Sequence, residues 1–414
     1  MDEAHQADAR GGQRYWLLAS VGRSLILNEL HHDSVTRLCR LEMPLTVQYA
    51  CFHPEHAIVY VVCSDGGVSS AGDQHCLAQI SYADGVLSPM RTPLALPYRP
   101  LHAAVLPRHN RLVIAYNRPA ALTHHQMDAK GVVSDDFHQT EGPDVVGYFP
   151  HQVIQTPDTE GLLLTCRGDD ATESSAENPG SLRLLRYTDQ HVTCVQTIAP
   201  NDGYGFGPRN CAFRPDGHVL YAVLERQNKL VGFRYRQRFV DLEPRWTLSL
   251  LKSMDRVRRP QLGGAISIHP NGRYAYVVNR SHPVYDGQDN IGPCGENSVV
   301  VYELDADSGE PREIQRVEVD GLHARCMALS PDGAFLVVAP RQAGQCLGAD
   351  GQAQKYVAGF AIYRIADDGH LRLSHREDIT VGKEQLFWAD FVPRELKSTF
   401  SPPIKREPTL LNTP

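Results

Sequence analysis

Five arginines occupy corresponding positions in a repeated sequence pattern. Seven prolines recur every 50 to 62 residues, and each follows a short apolar run. The residues six positions before every proline and ten positions after the first six prolines give thirteen comparable sites. These sites are Gln48, Leu101, His151, Arg209, Gly264, Arg325, Phe387, Ser64, Asn117, Arg167, Glu225, Arg280 and Arg341. Arginine fills five of them, although Lys and Arg together make up 41 of 414 residues, so the concentration exceeds chance.

The chemistry of these side chains suits a small anionic molecule. Guanidinium groups bind carboxylate or phosphate oxygens in pairs and stay charged at physiological pH. Two titratable residues, His151 and Glu225, belong to the same set. Either could act as a general base or acid if burial and the arginine charges shift its pKa. A single arginine at a strand end is usually a surface charge, so the prediction depends on the cluster.

The elements that carry these residues are predicted to be β-strands. Each repeat has an apolar run rich in Val, Ile, Tyr and Phe, then a proline, a polar turn and a second apolar run. A third and a fourth run follow, as at 181–188 and 194–198. The repeats are anchored by Pro54, Pro107, Pro157, Pro215, Pro270, Pro331 and Pro393. Four strands in each of about seven repeats predict an all-β, seven-bladed β-propeller. An open solenoid and two β-sandwiches are the alternatives.

The two ends of the chain complement each other. The last repeat, FWADFV (387–392), has no strands after it, while the strands YWLLAS (15–20) and SLILNEL (24–30) precede the first anchoring proline. Pairing the C-terminal strand with the N-terminal strands closes the ring and removes an open sheet edge. We therefore expect one propeller domain at 14–393.

The remaining segments are predicted to be tails and loops. Residues 1–13 and 394–414 are the expected N-terminal and polar C-terminal tails. In a propeller the strand tips converge, so the thirteen sites are expected at one mouth of a central channel. Four insertions leave the same mouth and are expected to wall it, at 64–76, 168–180, 281–297 and 342–355.

Two segments of the chain resemble the YVTN-type repeats of the lactonase seven-bladed β-propeller family. They are GPRNCAFRPDGHVLYAVLER (207–226) and SIHPNGRYAYVVNR (267–280). FPHQVIQTP (149–157) is similar to that family's Pro-His segment, and HARCMALSPDG (323–333) to its Pro-Arg segment. The family includes bacterial propeller-type 6-phosphogluconolactonases and fungal 3-carboxy-cis,cis-muconate lactonising enzymes. The resemblance implies a catalytic quartet, which consists of His151, Arg209, Glu225 and Arg280.

The activity that this resemblance implies is hydrolysis of the lactone of a sugar acid or phosphorylated sugar acid. His151 or Glu225 would take a proton from water, and the arginines would hold the acid group and stabilise charge on the carbonyl oxygen. No cofactor and no metal is expected. The residues predicted to bind substrate are Arg167, Arg325, Arg341, Asn210, Gln48 and His102. The chain departs from the family at Asn210, where His is frequent, and at 323–325, where His-Ala-Arg replaces Pro-Arg.

Two other functions remain open at this point. A carboxymuconate-type cycloisomerase would close a lactone on a substrate with several carboxylates, and it needs the same arginines and one acid–base group. A propeller scaffold that binds a protein partner needs neither, and the fold alone does not exclude it.

The composition and the hydropathy pattern indicate which classes of partner and which cellular location are expected. The chain carries 41 Lys and Arg against 48 Asp and Glu, and a net charge of −7 is a poor match for nucleic acid or an anionic membrane. Residues 1–13 lack the pattern of a secretory signal, and runs such as 57–63 are too short to cross a bilayer. We expect a cytoplasmic protein with a small anionic substrate, and the sequence gives no oligomeric state.

Two further predictions concern cysteines and metals. The ten cysteines are scattered without a CxxC pair, so we expect reduced thiols rather than a disulfide framework. Acidic loops at Asp169-Asp170 and at Asp286 and Asp289 are the alternative places for a divalent ion.

Overall fold

Each sequence repeat forms one antiparallel sheet, or blade, whose main strands hydrogen-bond side by side from an inner to an outer edge. The computed structural model describes residues 13–393 apart from 33, 68–69, 189–190, 255–256, 258–259, 283–291 and 349. The strands are numbered β1–β32 in chain order.

The blades are numbered 1 to 7, and the inner strand of each is the one that ends just before its anchoring proline. Blade 1 contains β1 (Arg14–Val21), β2 (Ser24–His31), β3 (Ser34–Glu42) and β32 (Leu386–Phe391). Blade 2 contains β4 (Thr46–Phe52), β5 (Ile58–Ser64), β6 (His75–Ser81), β7 (Ser88–Pro89) and β8 (Leu94–Ala95). Blade 3 contains β9 (Pro100–Leu106), β10 (Arg111–Asn117), β11 (Ala120–Met127) and β12 (Val133–Glu141). Blade 4 contains β13 (Pro150–Gln155), β14 (Gly161–Cys166), β15 (Ser181–Thr188) and β16 (His191–Ile198).

The second half of the chain repeats the arrangement. Blade 5 contains β17 (Pro208–Phe213), β18 (Val219–Leu224), β19 (Lys229–Arg236), β20 (Phe239–Val240) and β21 (Trp246–Ser249). Blade 6 contains β22 (Gln261–Ile268), β23 (Tyr274–Ser281), β24 (Ser298–Leu304) and β25 (Pro311–Glu318). Blade 7 contains β26 (Leu322–Leu329), β27 (Phe335–Gln342), β30 (Gly359–Ile365) and β31 (Leu371–Asp378), with a hairpin of β28 (Gly344–Leu347) and β29 (Ala353–Tyr356) inserted. The helical segments are α1 (Pro143–Val146) and 3₁₀ turns at Ala83–Gly85, Pro107–His109 and Pro200–Gly203.

The ring is closed by the two ends of the described chain. Strand β32 pairs antiparallel with β1, so that Leu17 lies opposite Phe391 and Ser20 opposite Trp388. The inner strands contact one another in ring order, and β32 contacts both β26 and β4. The prediction of an all-β, seven-bladed propeller closed by its terminal strands is therefore confirmed. The predicted tails lie outside the described residues, apart from Gln13.

Buried second strands and tyrosines hold neighbouring blades together. Every residue of β5, β14, β18 and β23 is buried, because both faces of a blade pack on the adjacent blades. Tyr221 of blade 5 donates a hydrogen bond to the carbonyl oxygen of Gly309, in a turn of blade 6, at 2.5 Å. Tyr60 makes the equivalent bond to Gly131 at 2.6 Å, from blade 2 to blade 3. The glycines have φ of +77° and +80°, a conformation that disfavours a side chain.

The prediction that the cysteines are all reduced is wrong for two of the ten. Cys294 and Cys346 form a disulfide, with their Cα atoms 5.1 Å apart, that joins the insertion after β23 to the hairpin inserted after β27. The other eight cysteines are free thiols. The two partners are 52 residues apart, and only the propeller brings them together, so no spacing motif marked them. Disulfides are rare in cytosolic proteins, and the cytoplasmic location stays a prediction.

A membrane-spanning helix was not expected, and the described part of the chain contains none of sufficient length and hydropathy.

Leu17→Ala tests the closure of the ring. Leu17 is fully buried on β1 and packs in one cluster with Leu386 and Phe391 of β32. Its truncation should lower the free energy of unfolding by ~2–5 kcal/mol, since a buried cavity is left at the closing contact. The control Leu38→Ala, at a position that is 39% exposed on β3, should change it by less than ~0.5 kcal/mol. Urea unfolding followed by circular dichroism measures both, and equal losses would contradict the closure.

Candidate active site

A cavity of about 560 Å³, here called the mouth cavity, lies where the inner strands begin and the second strands end. Nine of the thirteen repeat-related residues line it, namely Leu101, Asn117, His151, Arg167, Arg209, Glu225, Arg280, Arg325 and Arg341. Gln48 and Phe387 line a narrower cavity of about 150 Å³ that adjoins it in the channel. Ser64 and Gly264 line neither cavity. The register of the repeat therefore brings most of the predicted residues together in space.

A β-bulge in each inner strand leaves one residue unpaired, or two in blade 6. In β13, Pro150 pairs with Cys166 and Gln152 pairs with Thr165, which leaves His151 unpaired between them. The same register shift falls at Arg209 in β17 and at Arg325 in β26. The other inner strands shift at Gln48, Leu101, Phe387 and the pair 264–265. A bulge inserts one extra residue and re-aims its side chain. The bulges therefore account for the residues six positions before the prolines, such as His151, Arg209 and Arg325.

One carboxylate stands at the centre of the arginine cluster. Glu225 Oε1 accepts a hydrogen bond from Arg280 Nη2 at 2.5 Å and forms an ion pair with Arg209 Nε at 2.8 Å. Its other oxygen, Oε2, lies 3.2 Å from Arg167 Nη1. The three guanidinium groups come from blades 5, 6 and 4, and Glu225, Arg209 and Arg280 are all buried. Both carboxylate oxygens are thus engaged by protein donors.

The charges of this cluster hold each other in the ionised form. Burial opposes ionisation of Glu225, but Arg209, Arg280 and Arg167 outweigh it and lower the pKa of the carboxyl group below its ordinary value. Burial, with the nearby charge of Arg209, lowers the pKa of Arg280 to about 9, so this guanidinium is still protonated at neutral pH. The pairing is therefore ionic rather than a set of neutral hydrogen bonds.

Two arginines of the cavity, Arg325 and Arg341, have neither a carboxylate nor an amide partner among the described residues. Arg325 lies over the ring of Phe387, with its guanidinium carbon 4.0 Å from the ring centroid, and Arg341 lies 5.9 Å from the same ring. Neither makes an ion pair or a side-chain hydrogen bond within the described residues. Burial lowers the pKa of Arg341 to about 10, and that of Arg325 well below its ordinary value. Seven arginines and one carboxylate are found among the described lining residues, so the cavity is strongly positive.

His151 is a neutral imidazole at the border of the two cavities. Burial, reinforced by the charges of Arg209 and Arg325, lowers the pKa of His151 well below 6.5. Its Nδ1 is buried and has no hydrogen-bond partner within the described part of the chain. An uncharged imidazole without a protein partner can accept a proton from a molecule bound in the cavity.

Three predicted substrate-binding residues lie deeper, around the narrower cavity. Gln48 Oε1 accepts from Arg99 Nη2 at 2.9 Å, and His102 stacks on Tyr49 with ring centroids 3.9 Å apart. Asn210 Oδ1 accepts a hydrogen bond from Arg209. The structure thus gives Gln48 and Asn210 protein partners among the arginines, and their contact with substrate stays a prediction.

The family of the chain follows from a comparison of its sequence with protein-family models. The model described as "Lactonase, 7-bladed beta-propeller" matches residues 25–347. The chain belongs to this lactonase family. Most of the ring, from blade 1 to the hairpin of blade 7, lies within the match.

Two curated relatives of this lactonase-family chain are 6-phosphogluconolactonases. The protein of Bacillus subtilis (strain 168) is 27% identical over 198 residues, which are 48% of this chain and 51% of that protein. The protein of Formosa agariphila is 27% identical over 135 residues, which are 33% of either chain. The chain therefore spans about half the length, or less, of the curated relatives that it matches.

Solved structures share the fold of this family member. The periplasmic gluconolactonase of Pseudomonas aeruginosa superposes with a TM-score of 0.67 at 18% identity, over 92% of this chain and 99% of that one. A putative 6-phosphogluconolactonase of Bacteroides uniformis gives 0.65 at 16% identity, over 92% and 99%. At this identity the likeness concerns the fold alone.

The mouth cavity also contains residues that the sequence register missed. They are Arg99, Arg118, Phe149, His282 and His323. His282 follows Arg280 by two positions, and His323 precedes Arg325 by two, so strand alternation was the available signal for both. The other three lie next to strand ends, where register gives no such signal.

The predicted wall and metal positions have mixed outcomes. Among the described residues, insertion 64–76 contributes Gly67, Ser70 and Ala71 to the cavity and 281–297 contributes His282, whereas 168–180 and 342–355, which forms the hairpin, do not line it. Asp169 pairs with Arg118, and Asp170 with Arg226, each at 2.8 Å. No metal-binding group of three His, Cys, Asp or Glu occurs among the described residues. Asp286 and Asp289 lie outside them.

The buried histidines predict acid sensitivity of the fold. His151 and His323 have pKa values well below 6.5, and burial lowers the pKa of His102 to about 3. The unfolded chain therefore binds more protons below pH 6.5, and the free energy of unfolding should fall as the pH drops from about 6.5 towards 4. Urea titrations across this interval measure the slope, which His102→Gln should reduce. Constant stability down to pH ~4.5 would contradict the assignment of uncharged buried imidazoles.

Proposed function

We propose that this lactonase-family protein hydrolyses the lactone of an anionic sugar acid in the mouth cavity. The observation that carries the proposal is the arrangement around Glu225. Three guanidinium groups are fixed on one buried carboxylate, and the same cavity contains an uncharged His151 whose Nδ1 has no partner among the described residues. Fixed cations next to a free base are what attack of water on an ester carbonyl requires.

His151 is the proposed general base. It takes a proton from a water molecule as the water oxygen attacks the lactone carbonyl carbon. The tetrahedral intermediate then collapses, the bond from the carbonyl carbon to the ring oxygen breaks, and that oxygen receives the proton from His151. The carboxylic acid product ionises and releases one proton to the solvent. Negative charge on the intermediate favours the imidazolium, which offsets the low pKa of His151 in the free protein.

Glu225 is the proposed positioning residue for the arginines. Both of its oxygens are occupied, and Arg209 and Arg280 lower the pKa of its carboxyl group, so it is a poor base. Its contact aligns the guanidinium groups of Arg209 and Arg280, which would stabilise charge on the carbonyl oxygen. The names of the two curated relatives, both 6-phosphogluconolactonases, support a phosphorylated sugar-acid lactone as a substrate class.

A carboxymuconate-type cycloisomerase is the second candidate. Seven arginines against one carboxylate, among the described lining residues, suit a substrate with several carboxylates. In that reaction a carboxylate oxygen of the substrate adds to one carbon of a double bond and closes the lactone ring. His151 would transfer a proton to the other carbon, or remove it in the reverse direction.

A panel of substrates separates the candidates. Neutral aldonolactones, phosphorylated or carboxylated lactones and muconates are each incubated with the protein while acid release is followed in a pH-stat and muconate absorbance is recorded. We expect acid release from anionic lactones. Conversion of muconates alone would favour the cycloisomerase, and no conversion of either class would favour a scaffold.

His151→Gln tests the proposed base. The variant should lower kcat by ~10²–10⁴-fold, because glutamine preserves size and hydrogen bonding but cannot accept the proton. KM should change little, since the arginines are untouched. The matched control His375→Gln removes an imidazole on outer strand β31, where His375 pairs with Glu377, and should retain normal kcat. A normal kcat in His151→Gln would exclude this residue as the base.

A further inference from the structure

One arc of the mouth cavity carries positive charge with no carboxylate opposite it. We call Arg325, Arg341, His323 and His282 the carboxylate-free arc. The first three belong to blade 7, and His282 lies at the adjoining end of blade 6. All four line the cavity. The ion pairs of Glu225 are with arginines of blades 4, 5 and 6, and none of them reaches the arginines of blade 7 among the described residues.

The other arginines of the cavity already have partners. Arg118 is paired with Asp169 at 2.8 Å, and Arg99 donates to Gln48 at 2.9 Å. Within the described residues, by contrast, Arg325 and Arg341 contact only the Phe387 ring through their guanidinium groups. Arg341 Nε and His323 Nδ1 are buried without a hydrogen-bond partner. Buried polar groups of this kind ordinarily have partners, so these two atoms, beside two guanidinium groups without a counter-charge, indicate a place for a ligand.

The two imidazoles of the arc are held together by the backbone and by Asn297. The rings of His282 and His323 lie 3.7 Å apart between centroids. Asn297 Oδ1 accepts the backbone N–H groups of Ser281, at 2.9 Å, and of His323, at 3.2 Å. His323 has φ of +51°, a conformation that costs a non-glycine residue free energy and is concentrated at functional sites. Hydrogen bonds to the backbone and ring stacking therefore hold the two histidines of the arc in fixed positions.

We propose that the carboxylate-free arc binds the anionic group of the substrate, with His323 and Arg341 as specificity-determining residues. The inference rests on the proposed function and gives the substrate an orientation. The carboxylate or phosphoryl group of the substrate lies against blade 7. Its lactone carbonyl lies on the other side of the cavity, beside His151 and the arginines that pair with Glu225. A guanidinium and an imidazole N–H both donate to anionic oxygens, and the bound anion relieves the repulsion between Arg325 and Arg341.

Matched lactones test this orientation. An uncharged aldonolactone is compared with the same ring carrying a phosphoryl or a carboxylate group, for the wild type, Arg341→Gln and His323→Asn. Both variants should raise KM for the charged lactones by about tenfold or more and leave kcat and KM for the uncharged lactone within about threefold. The control Arg312→Gln removes an exposed arginine that pairs with Glu303 on the outside of blade 6, and it should change neither.

Anion binding gives a readout that does not depend on turnover. Inorganic phosphate and malonate are titrated into each folded variant by calorimetry, with thermal unfolding as the check of folding. The wild type should bind at least one of them, and the anion that binds identifies phosphoryl or carboxylate as the recognised group. Arg341→Gln and His323→Asn should each weaken that binding by about tenfold.

The outcomes separate the two proposals. Loss of anion binding in the variants, without any lactone turnover by the wild type, would support the arc and contradict the proposed hydrolysis. Equal anion affinity in the wild type and both variants would overturn the arc, as would equal losses for charged and uncharged lactones. A wild type that binds neither anion with a Kd below about 10 mM would also overturn it. If Arg341→Gln does not fold, His323→Asn carries the comparison.

Discussion

The buried contact of Glu225 with three guanidinium groups is the interaction on which the site depends. A guanidinium removed from water without a counter-charge is costly, and one carboxylate here stabilises Arg167, Arg209 and Arg280 together. These residues come from three successive blades, so the contact also fixes the blades relative to one another at the mouth. The seven arginines of the lining outnumber its single carboxylate, and Asp169 beside Arg118 adds one further counter-charge, so the cavity keeps a surplus of positive charge that suits an anionic ligand.

The propeller brings the cavity residues together through a β-bulge that recurs in the inner strand of every blade. The side chains of a regular inner strand alternate between the two faces of the sheet, where they contact the neighbouring blades, and none of them points toward the central channel. The bulge at the same position of each inner strand leaves one residue unpaired, and at His151, Arg209 and Arg325 that residue reaches the cavity. The same position in blade 6 is Gly264, which carries no side chain. The fold thus fixes where functional residues can stand, while the sequence of each blade determines the chemistry.

The sequence was sufficient to predict the ring, its closure and most of the cavity. The anchoring prolines and the apolar runs beside them are local signals, and they repeat, so an error in one blade does not spread to the others. Arg280 and Glu225 were found by register because the ends of second strands are as regular as the starts of inner ones. The bulge itself has no residue signature, since Gln48, Leu101 and Phe387 share only their position.

The features that sequence reasoning missed depend on contacts between distant segments. The disulfide between Cys294 and Cys346 joins two insertions that meet only in the closed ring. His282 and His323 stack across the boundary of blades 6 and 7 through Asn297, a contact that no spacing reveals. The saturation of Glu225 was equally invisible, because the sequence placed His151 and Glu225 in the same ring without showing which of them is already occupied.

The most direct test of the central contact is Glu225→Gln compared with Glu177→Gln, which also removes a carboxylate paired with an arginine but lies outside the mouth cavity. Both kcat/KM for an anionic lactone and the free energy of unfolding are measured. The account predicts that Glu225→Gln loses ~3–5 kcal/mol of stability, because three buried guanidinium groups lose their counter-charge, and that kcat/KM falls by at least about tenfold. Glu177→Gln should retain normal kcat/KM. A stable Glu225→Gln variant with unchanged kcat/KM would contradict the account.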